Sequence, residues 1–332
     1  MGEKFFLYLK LMRLDRPIGI FLLLWPTLWA LWFAAGGVPP MKVLLVFVLG
    51  TVLMRSAGCA INDFADREFD PQVARTKDRP LAAGRITPDE AVRLFVAVGL
   101  IAFGLLTSLR NVLALELSVP AVLLAAGYPF MKRWISLPQA VLGVAFSWGI
   151  PMAYAAVQNT VPPLPVAMLM VANLCWVVAY DTYYAMVDRV DDLKAGIKSS
   201  AILFGRHDRL IVAMLQGTAL LVLIQLGLMM ERGESYYAGI AVAAWVAVYQ
   251  QWSTRDRDPA ACFKAFLGNN WFGLAIFVGI ALDYGFYRLG HAGNGPGFDL
   301  RRPGLAAGAR QLLQRRAGGH HIVEQGGMQA GK

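Results

Sequence analysis

The sequence predicts an all-α polytopic membrane protein with about nine transmembrane helices in two parallel repeats. Hydrophobic residues make up 57% of the 332-residue chain and charged residues only 16%. A soluble domain of this length would carry about 25% charged residues. The apolar residues fall into runs of membrane-spanning length, and two acidic clusters follow such runs with matched spacing. Composition, run length and repetition therefore all indicate a bundle of transmembrane helices.

Nine apolar runs are long enough, or nearly long enough, to cross a bilayer core of about 30 Å. In chain order they lie at about 17–36, 42–61, 90–109, 111–130, 136–157, 165–186, 209–229, 235–251 and 265–286. The N-terminal segment has no small-residue cleavage site after a short apolar core, so we do not expect a removable signal peptide. The three cysteines lie far apart, which favours buried thiols over a metal or disulfide pattern.

The distribution of Lys and Arg between the runs predicts the orientation of the chain. With the N-terminus in the cytoplasm, the connections on that side contain Arg67, Arg75, Lys77, Arg79, Arg85, Lys132, Arg133, Arg189, Lys194, Lys198, Arg206, Arg209, Arg255, Arg257 and Lys264. The opposite connections contain only Lys42, Arg110, Arg232 and Arg288. The positive-inside rule then places both acidic clusters in the cytoplasm. The net charge of +9 is explained by this topology and by contact with anionic lipid headgroups. Nucleic-acid binding is not expected, because the basic residues form no continuous face.

The two acidic clusters have the same internal spacing. Each places three polar side chains at intervals of four residues, so that on a helix they share one face. These residues are Asn62, Asp66 and Asp70 in the first cluster, and Tyr184, Asp188 and Asp192 in the second. Asp181 lies earlier on the same side of the second cluster. The constant offset between the clusters, with an even number of helices between them, predicts two halves of the same orientation.

Stacked carboxylates predict a cation site. Ionised carboxylates one helical turn apart repel each other, and hard oxygen ligands suit Mg²⁺, which proteins hold with a few carboxylates plus substrate phosphates. Basic residues follow each cluster: Arg75, Lys77 and Arg79 in the first half, and Lys194 and Lys198 in the second. If the two halves of the chain face each other, a diphosphate with bridging metal ions would suit both kinds of side chain: the carboxylates would bind the metal, and the Lys and Arg residues would bind the phosphate oxygens. The alternative is a solvated helix end with ordinary surface charge.

Three further basic residues are candidates for binding. Arg55 lies inside an apolar run, seven residues before Asn62 and on the same face. It either pairs internally with one of the aspartates or faces a polar cavity. Lys132 and Arg133 follow Tyr128–Met131 at a helix end, and at least one of them is expected to be a positive-inside anchor.

Several motifs resemble the 4-hydroxybenzoate polyprenyltransferases, the ubiquinone-pathway branch of the UbiA superfamily of membrane prenyltransferases. The resemblance extends from about residue 8 to about residue 287. The matching stretches are Arg13–Gly19, Leu24–Trp32, Gly58–Asp63 with Asp66-Arg67 and Phe69-Asp70, Arg79–Leu81, Tyr128–Arg133, Asp181-Thr182 with Tyr184–Met186, and Lys198–Gly205. The acidic motifs are common to the superfamily, whereas the stretches around Trp25, Met131 and Met186 resemble this branch more narrowly.

The resemblance implies a helical bundle around a central cavity, with a cytoplasmic cap and a lateral opening to lipid, in a bacterial inner membrane. It implies Mg²⁺-dependent transfer of a polyprenyl group from polyprenyl diphosphate to the ring of 4-hydroxybenzoate, ortho to the hydroxyl. The metal and diphosphate residues would be Asn62, Asp66, Asp70, Asp188 and Asp192. Other substrate contacts would come from Arg55, Arg75, Lys77, Arg79, Lys132, Arg133, Asp181, Tyr184, Lys194 and Lys198, with Arg133 on the aromatic acid. Asp188 and Asp191 are both candidates for a carboxylate near the phenol that serves as the base.

Other functions remain open from the sequence. Naphthoate, haem or chlorophyll-precursor prenylation is the nearest alternative within the superfamily. A cation-coupled transporter would place its carboxylates near the membrane midplane, and a lipid-binding scaffold would need no acidic clusters. Prenyl chain length and oligomeric state are not predicted. The membrane domain is expected at 1–289, and 290–332, rich in Gly, Arg and Gln, is predicted to be disordered.

Overall fold

The computed structural model describes residues 2–73 and 75–292, and within these ranges the chain is helical without a β-strand. The α-helices are α1 (Gly2–Leu11), α2 (Ile18–Ala35), α3 (Met41–Asp66), α4 (Pro88–Thr107), α5 (Val112–Gly127), α6 (Pro138–Ser147), α7 (Gly149–Gln158), α8 (Pro163–Ala195), α9 (Ser200–Phe204), α10 (Asp208–Met229), α11 (Glu234–Ser253) and α12 (Pro259–Ala292). Short 3-10 turns lie at Asp70–Gln72, Tyr128–Arg133 and Gly205–His207. Of the tail predicted to be disordered at 290–332, residues 290–292 form the end of α12, and residues 293–332 lie outside the described part of the chain.

All nine predicted membrane runs are helical. Eight helical segments in the described ranges are long and apolar enough to cross a membrane: Ile18–Ala35, Met41–Asp66, Pro88–Thr107, Val112–Arg133, Pro138–Gln158, Pro163–Ala195, Ser200–Met229 and Pro259–Gly285. The remaining run, at 235–251, forms α11, which is not among these eight. Its sequence is rich in Ala and Tyr and ends in Gln250 and Gln251, so it is the least apolar of the set. The prediction of an all-α polytopic membrane protein is therefore confirmed.

The two acidic helices run further than the apolar runs that predicted them. α3 extends through Asn62 to Asp66, and α8 extends through Asp188 and Asp192 to Ala195. Asp70 is not on α3, because the helix ends at Asp66 and Asp70 begins a separate 3-10 turn. The prediction that all three members of the first cluster share a helical face is wrong for this residue. A proline directly after Asp70 explains the break, since it cannot continue the helical hydrogen-bond pattern.

The core of the bundle is built around α2. Every residue from 24 to 34 is buried, and the helix packs against α3, α7 and α8. Two indole groups connect it to α12: Trp25 Nε1 donates to Asn270 Oδ1 at 2.9 Å, and Trp29 Nε1 donates to the Gly273 carbonyl at 3.1 Å. A helix that is apolar on all sides is expected at the centre of a bundle.

The N-terminal helix is fixed to the start of α4. Thr87 and Glu90 form a capping box there, and the free carboxylate oxygen of Glu90 accepts from Lys4 Nζ at 2.6 Å and from the Tyr8 hydroxyl at 3.1 Å. This contact holds α1 against the bundle and so positions the segment between α1 and α2, which contains Arg13.

The acidic helices have equivalent partners in the two halves of the chain. The most extensive helix pairings in the described part are α3 with α4 and α8 with α10, so each acidic helix packs chiefly on the membrane span that follows it. This arrangement agrees with the two repeats that the spacing of the clusters predicts.

Candidate functional site

The first acidic cluster is joined to two arginines through a carboxylate that the cluster spacing does not include. Asp63, which is 2% exposed, accepts through Oδ1 from Arg13 Nη2 at 2.5 Å and from Arg79 Nη1 at 3.1 Å. The same Nη1 of Arg79 donates to Asp70 Oδ2 at 2.8 Å. Arg13 therefore connects to Asp70 through Asp63 and Arg79.

Burial and neighbouring charge change the acidity of Asp70. Burial, together with the charges of Asp66 and Asp63, raises the pKa of Asp70 to about 6, although Arg79 opposes the shift. The carboxylates of this cluster thus lie close enough to one another that adding a cation would be favourable.

Asp66 is paired with a lysine from a different part of the chain. Lys132 Nζ, in the 3-10 turn Tyr128–Arg133, forms an ion pair with Asp66 Oδ1. The Asn62 amide donates to Asp66 Oδ2 at 3.3 Å from one turn earlier on α3. The Lys132 carbonyl also accepts from the backbone N–H of Lys198 at 3.4 Å, so the turn that contains Lys132 contacts both α3 and the segment that follows α8.

The second cluster is bound by an arginine from the first half. Arg75 donates from Nε to Asp188 Oδ1 at 3.0 Å and from Nη2 to Asp188 Oδ2 at 2.6 Å. Its guanidinium also lies over the Tyr184 ring, 4.5 Å from the centroid. This two-point contact joins the α3–α4 connection to α8, so the two clusters meet in one site. Asp191 and Asp192 lie nearby on α8 and are partly buried.

The remaining predicted basic residues do not all enter the site. Lys77 and Lys194 are exposed, and the exposed Lys198 donates to the Trp134 carbonyl at 3.0 Å. Arg75 and Arg79, which the sequence predicts as phosphate ligands, and Lys132, which it predicts as a substrate contact, instead bind carboxylates. Without a diphosphate, the nearest anions available to these cations are the aspartates themselves.

Arg55 and Arg133 have different surroundings. Arg133 Nη2 donates to the Ala65 carbonyl at 2.5 Å, and its guanidinium lies 5.4 Å from the centre of the Phe69 ring. Arg55 is not paired with an aspartate among the ion pairs of the described residues, so the internal pair that was one interpretation of its sequence position does not form. Its Nη1 contacts Cys59 Sγ at 2.6 Å, and its buried Nε has no hydrogen-bond partner in the part of the chain that the structure describes.

Gly19 makes room for the Arg55 guanidinium. A Cβ at position 19 would lie 2.5 Å from Arg55 Nη2 and 2.6 Å from Nε. The start of α2 thus closes over an arginine that pairs with no carboxylate of the described residues, which is the environment expected for a residue that receives an anion from outside the chain.

The donor set suits a hard divalent cation. Among residues 2–73 and 75–292, no three His, Cys, Asp or Glu side chains converge closely enough to form a ready-made metal site. The reason is that Lys132, Arg75 and Arg79 separate the carboxylates and neutralise them. Since phosphate oxygens would draw these three cations away, the carboxylates then become free to bind metal. The residues therefore fit Mg²⁺ held jointly with a diphosphate.

Sequence reasoning did not identify Arg13 or Asp63 as site residues. Both occur in the motifs that resemble the family, but neither follows the four-residue spacing of the clusters. Two positions in the sequence could have indicated this pair. Asp63 directly follows Asn62 of the first cluster, and Arg13, a charged residue just before an apolar run, needs an anionic partner when it packs against the bundle.

Comparisons with known proteins agree on one family. Residues 23–277 match the model of the UbiA prenyltransferase family. A curated protein of Pseudomonas aeruginosa named 4-hydroxybenzoate octaprenyltransferase is 58% identical over 277 residues, which are 83% of this chain and 93% of the relative.

Two solved structures share the fold. A UbiA homolog from Aeropyrum pernix without ligand has a TM-score of 0.70 at 24% identity, covering 80% of this chain and 97% of its own. A UbiA homolog from Archaeoglobus fulgidus, bound to GPP and Mg²⁺, has a TM-score of 0.62 at 16% identity, covering 86% of this chain and 99% of its own.

Proposed function

The chain belongs to the UbiA prenyltransferase family, and from that premise we propose that it transfers a polyprenyl group from polyprenyl diphosphate to 4-hydroxybenzoate. The new bond forms at the ring carbon ortho to the hydroxyl, diphosphate leaves, and the product enters ubiquinone biosynthesis. The acceptor and the long donor are those in the name of the 58% identical relative. The observation that carries the proposal is the contact of Arg75 with Asp188, which joins both acidic clusters in one site.

The aspartates and their cations hold the diphosphate end of the donor. Asp66, Asp70, Asp188 and Asp192, with Asn62, would bind Mg²⁺, the metal present in the Archaeoglobus fulgidus homolog. When bound, Mg²⁺ supplies positive charge that stabilises the departing diphosphate. Arg75, Arg79 and Lys132 turn from their carboxylates to phosphate oxygens and contribute to the same stabilisation.

The allylic carbon loses diphosphate and takes the electron pair of the phenol ring. The ring proton released at the new bond passes to a carboxylate, for which Asp188 and Asp191 are the candidates. Enclosure of the reacting groups in a cavity within the membrane would keep water from the allylic cation. The carboxylate of 4-hydroxybenzoate needs a cationic partner, for which Arg55 and Arg133 are the candidates.

We place the protein in the bacterial inner membrane with both acidic clusters facing the cytoplasm, because Lys and Arg concentrate in the connections that carry them. The activity is assigned to residues 1–289, which include the family match at 23–277.

The test is prenyl transfer in isolated membranes that contain the chain, offered radiolabelled 4-hydroxybenzoate and a polyprenyl diphosphate. We expect prenylated product that requires Mg²⁺ and disappears with a chelator. Asp66→Ala should abolish turnover with the protein still folded in the membrane, whereas the matched change at the exposed Glu68, Glu68→Ala, should not. Product formation from 1,4-dihydroxy-2-naphthoate but not from 4-hydroxybenzoate would contradict the proposed acceptor.

A further inference from the structure

Asp63 is a buried carboxylate that the proposed chemistry does not use. It is 2% exposed, and a single oxygen, Oδ1, accepts from both Arg13 and Arg79. With two guanidinium groups on that oxygen, Asp63 has its charge satisfied by arginine and has no need of a metal.

Arg79 is shared between Asp63 and Asp70. Both hydrogen bonds use Nη1, at 3.1 Å to Asp63 and 2.8 Å to Asp70, so the rest of the guanidinium fork is engaged by neither carboxylate. If Asp70 binds metal, Arg79 loses one partner and keeps the other. An arginine held in this way stays in the site and can direct its remaining N–H groups at a phosphate.

Arg13 fixes the oxygen on which this arrangement depends. Its backbone has φ +54°, a left-handed conformation that is unfavourable for a non-glycine residue and persists only where other contacts impose it. The contact from Nη2 to Asp63 Oδ1 at 2.5 Å and the attachment of α1 to Glu90 are such contacts. The N-terminal segment thereby holds Asp63 in one orientation.

We propose that Asp63 is a positioning residue: held by Arg13, it anchors Arg79 so that the guanidinium can pass from Asp70 to the diphosphate of the donor. The proposal rests on the proposed function, since it requires a diphosphate at this site. Without the charge on Asp63, Arg79 would keep Asp70 as its only carboxylate partner among the described residues. Metal binding by Asp70 would then leave Arg79 without an ion pair there.

The experiment is a double-mutant cycle on ligand binding rather than on turnover. Binding of geranyl diphosphate with Mg²⁺ to the purified, detergent-solubilised full chain is measured by equilibrium dialysis for the unsubstituted protein, Asp63→Asn, Arg79→Gln and the double variant. We expect Asp63→Asn to weaken binding about tenfold. The double variant should bind no more weakly than Arg79→Gln alone, because Asp63 acts only through Arg79. Asp78→Asn, at an exposed aspartate beside Arg79, is the matched control and should bind as the unsubstituted protein does.

A second pair of variants keeps the test independent of whether Asp63→Asn folds. Arg13→Gln should weaken binding in the same direction and also lose its effect in the Arg79→Gln background, while Arg13→Lys should retain most of the affinity. The positioning role would be overturned if the losses of affinity in Asp63→Asn and Arg79→Gln multiplied in the double variant. It would also be overturned if Asp63→Asn and Arg13→Gln both bound geranyl diphosphate as the unsubstituted protein does. Failure of the unsubstituted protein to bind the diphosphate would instead contradict the proposed function.

Discussion

Arg55 and Arg133 are both candidates for the acceptor carboxylate, and their contacts favour Arg55. Arg133 is already engaged by the Ala65 carbonyl and by the face of Phe69. Among the described residues, Arg55 has the Cys59 thiol as its only hydrogen-bond partner, and its buried Nε has none. Because a buried N–H group without a partner costs free energy, a substrate carboxylate that accepts from Arg55 would be stabilised at this position.

We therefore expect Arg55→Lys to raise the KM for 4-hydroxybenzoate by about tenfold or more while the KM for the prenyl donor changes little, since Lys cannot form the two-point contact. Gly19→Ala should act in the same direction, because its Cβ would displace the guanidinium. Steady-state kinetics with each substrate varied in turn provide the measurement. If Arg133→Lys raises the acceptor KM selectively and Arg55→Lys does not, Arg133 is the acceptor residue.

The pKa of Asp70 predicts how metal binding depends on pH. Burial raises this pKa to about 6, and a protonated carboxyl does not bind Mg²⁺. Metal affinity should therefore be full above pH 7 and fall below pH 6, by a factor that approaches tenfold per pH unit. Titration of Mn²⁺ into the protein with diphosphate at pH 5 to 8, followed by electron paramagnetic resonance, measures it. Affinity that is constant across this range would show that Asp70 is not a ligand.

At the scale of helices, α11 is held by close packing and not by hydropathy alone. A Cβ at Gly239 would lie 2.6 Å from the Ala275 carbonyl oxygen and 2.8 Å from Gly279 Cα, so the backbones of α11 and α12 are in contact. Small residues permit such an approach between transmembrane helices. Gln250 of α11 adds a buried hydrogen bond, accepting from Gln216 of α10 at 2.8 Å. These contacts explain why the least apolar of the nine runs still joins the bundle.

Gly239→Ala should consequently destabilise the fold by about 1–3 kcal/mol through overpacking. The control is Gly217→Ala in α10, where nothing lies within 4 Å of the added Cβ and the higher helix propensity of Ala should be neutral or stabilising. Thermal unfolding of the detergent-solubilised variants compares the two. Equal melting temperatures would mean that the α11–α12 contact can relax at no cost.

The sequence predicts the helices better than their ends. Hydropathy locates the membrane runs because apolar residues must face lipid or the core. A run identified in this way ends at the first polar residues, but the helix itself continues through backbone hydrogen bonds, to Asp66 in α3 and to Ala195 in α8. The four-residue spacing assumes an unbroken helix. It therefore correctly places Asp66, Asp188 and Asp192 on helices but misplaces Asp70, which lies beyond the end of α3. Pairings between remote segments, such as Arg13 with Asp63, have no local pattern and require the structure.

At the scale of the molecule, the two halves are joined by ions at one end of the bundle. Arg75 of the first half binds Asp188 of the second, and Lys132 pairs with Asp66 while its carbonyl accepts from the backbone of Lys198, just after α8. A single donor diphosphate that recruits these cations would couple both halves, whereas a transporter would alternate between two sides of the membrane.

The last prediction tests sidedness and shared binding together. In a chain whose three native cysteines are replaced, a cysteine is placed at Gln72, beside Asp70, or at Ala195, at the end of α8. A membrane-impermeant thiol reagent should label both positions in inverted vesicles and neither in right-side-out vesicles, because both connections are predicted to be cytoplasmic. A prenyl diphosphate analogue with Mg²⁺ should slow labelling at both positions, and much less so without Mg²⁺, since free carboxylates repel phosphate. Labelling from opposite sides would exclude a shared site, and protection at one position alone would show that the diphosphate binds a single half.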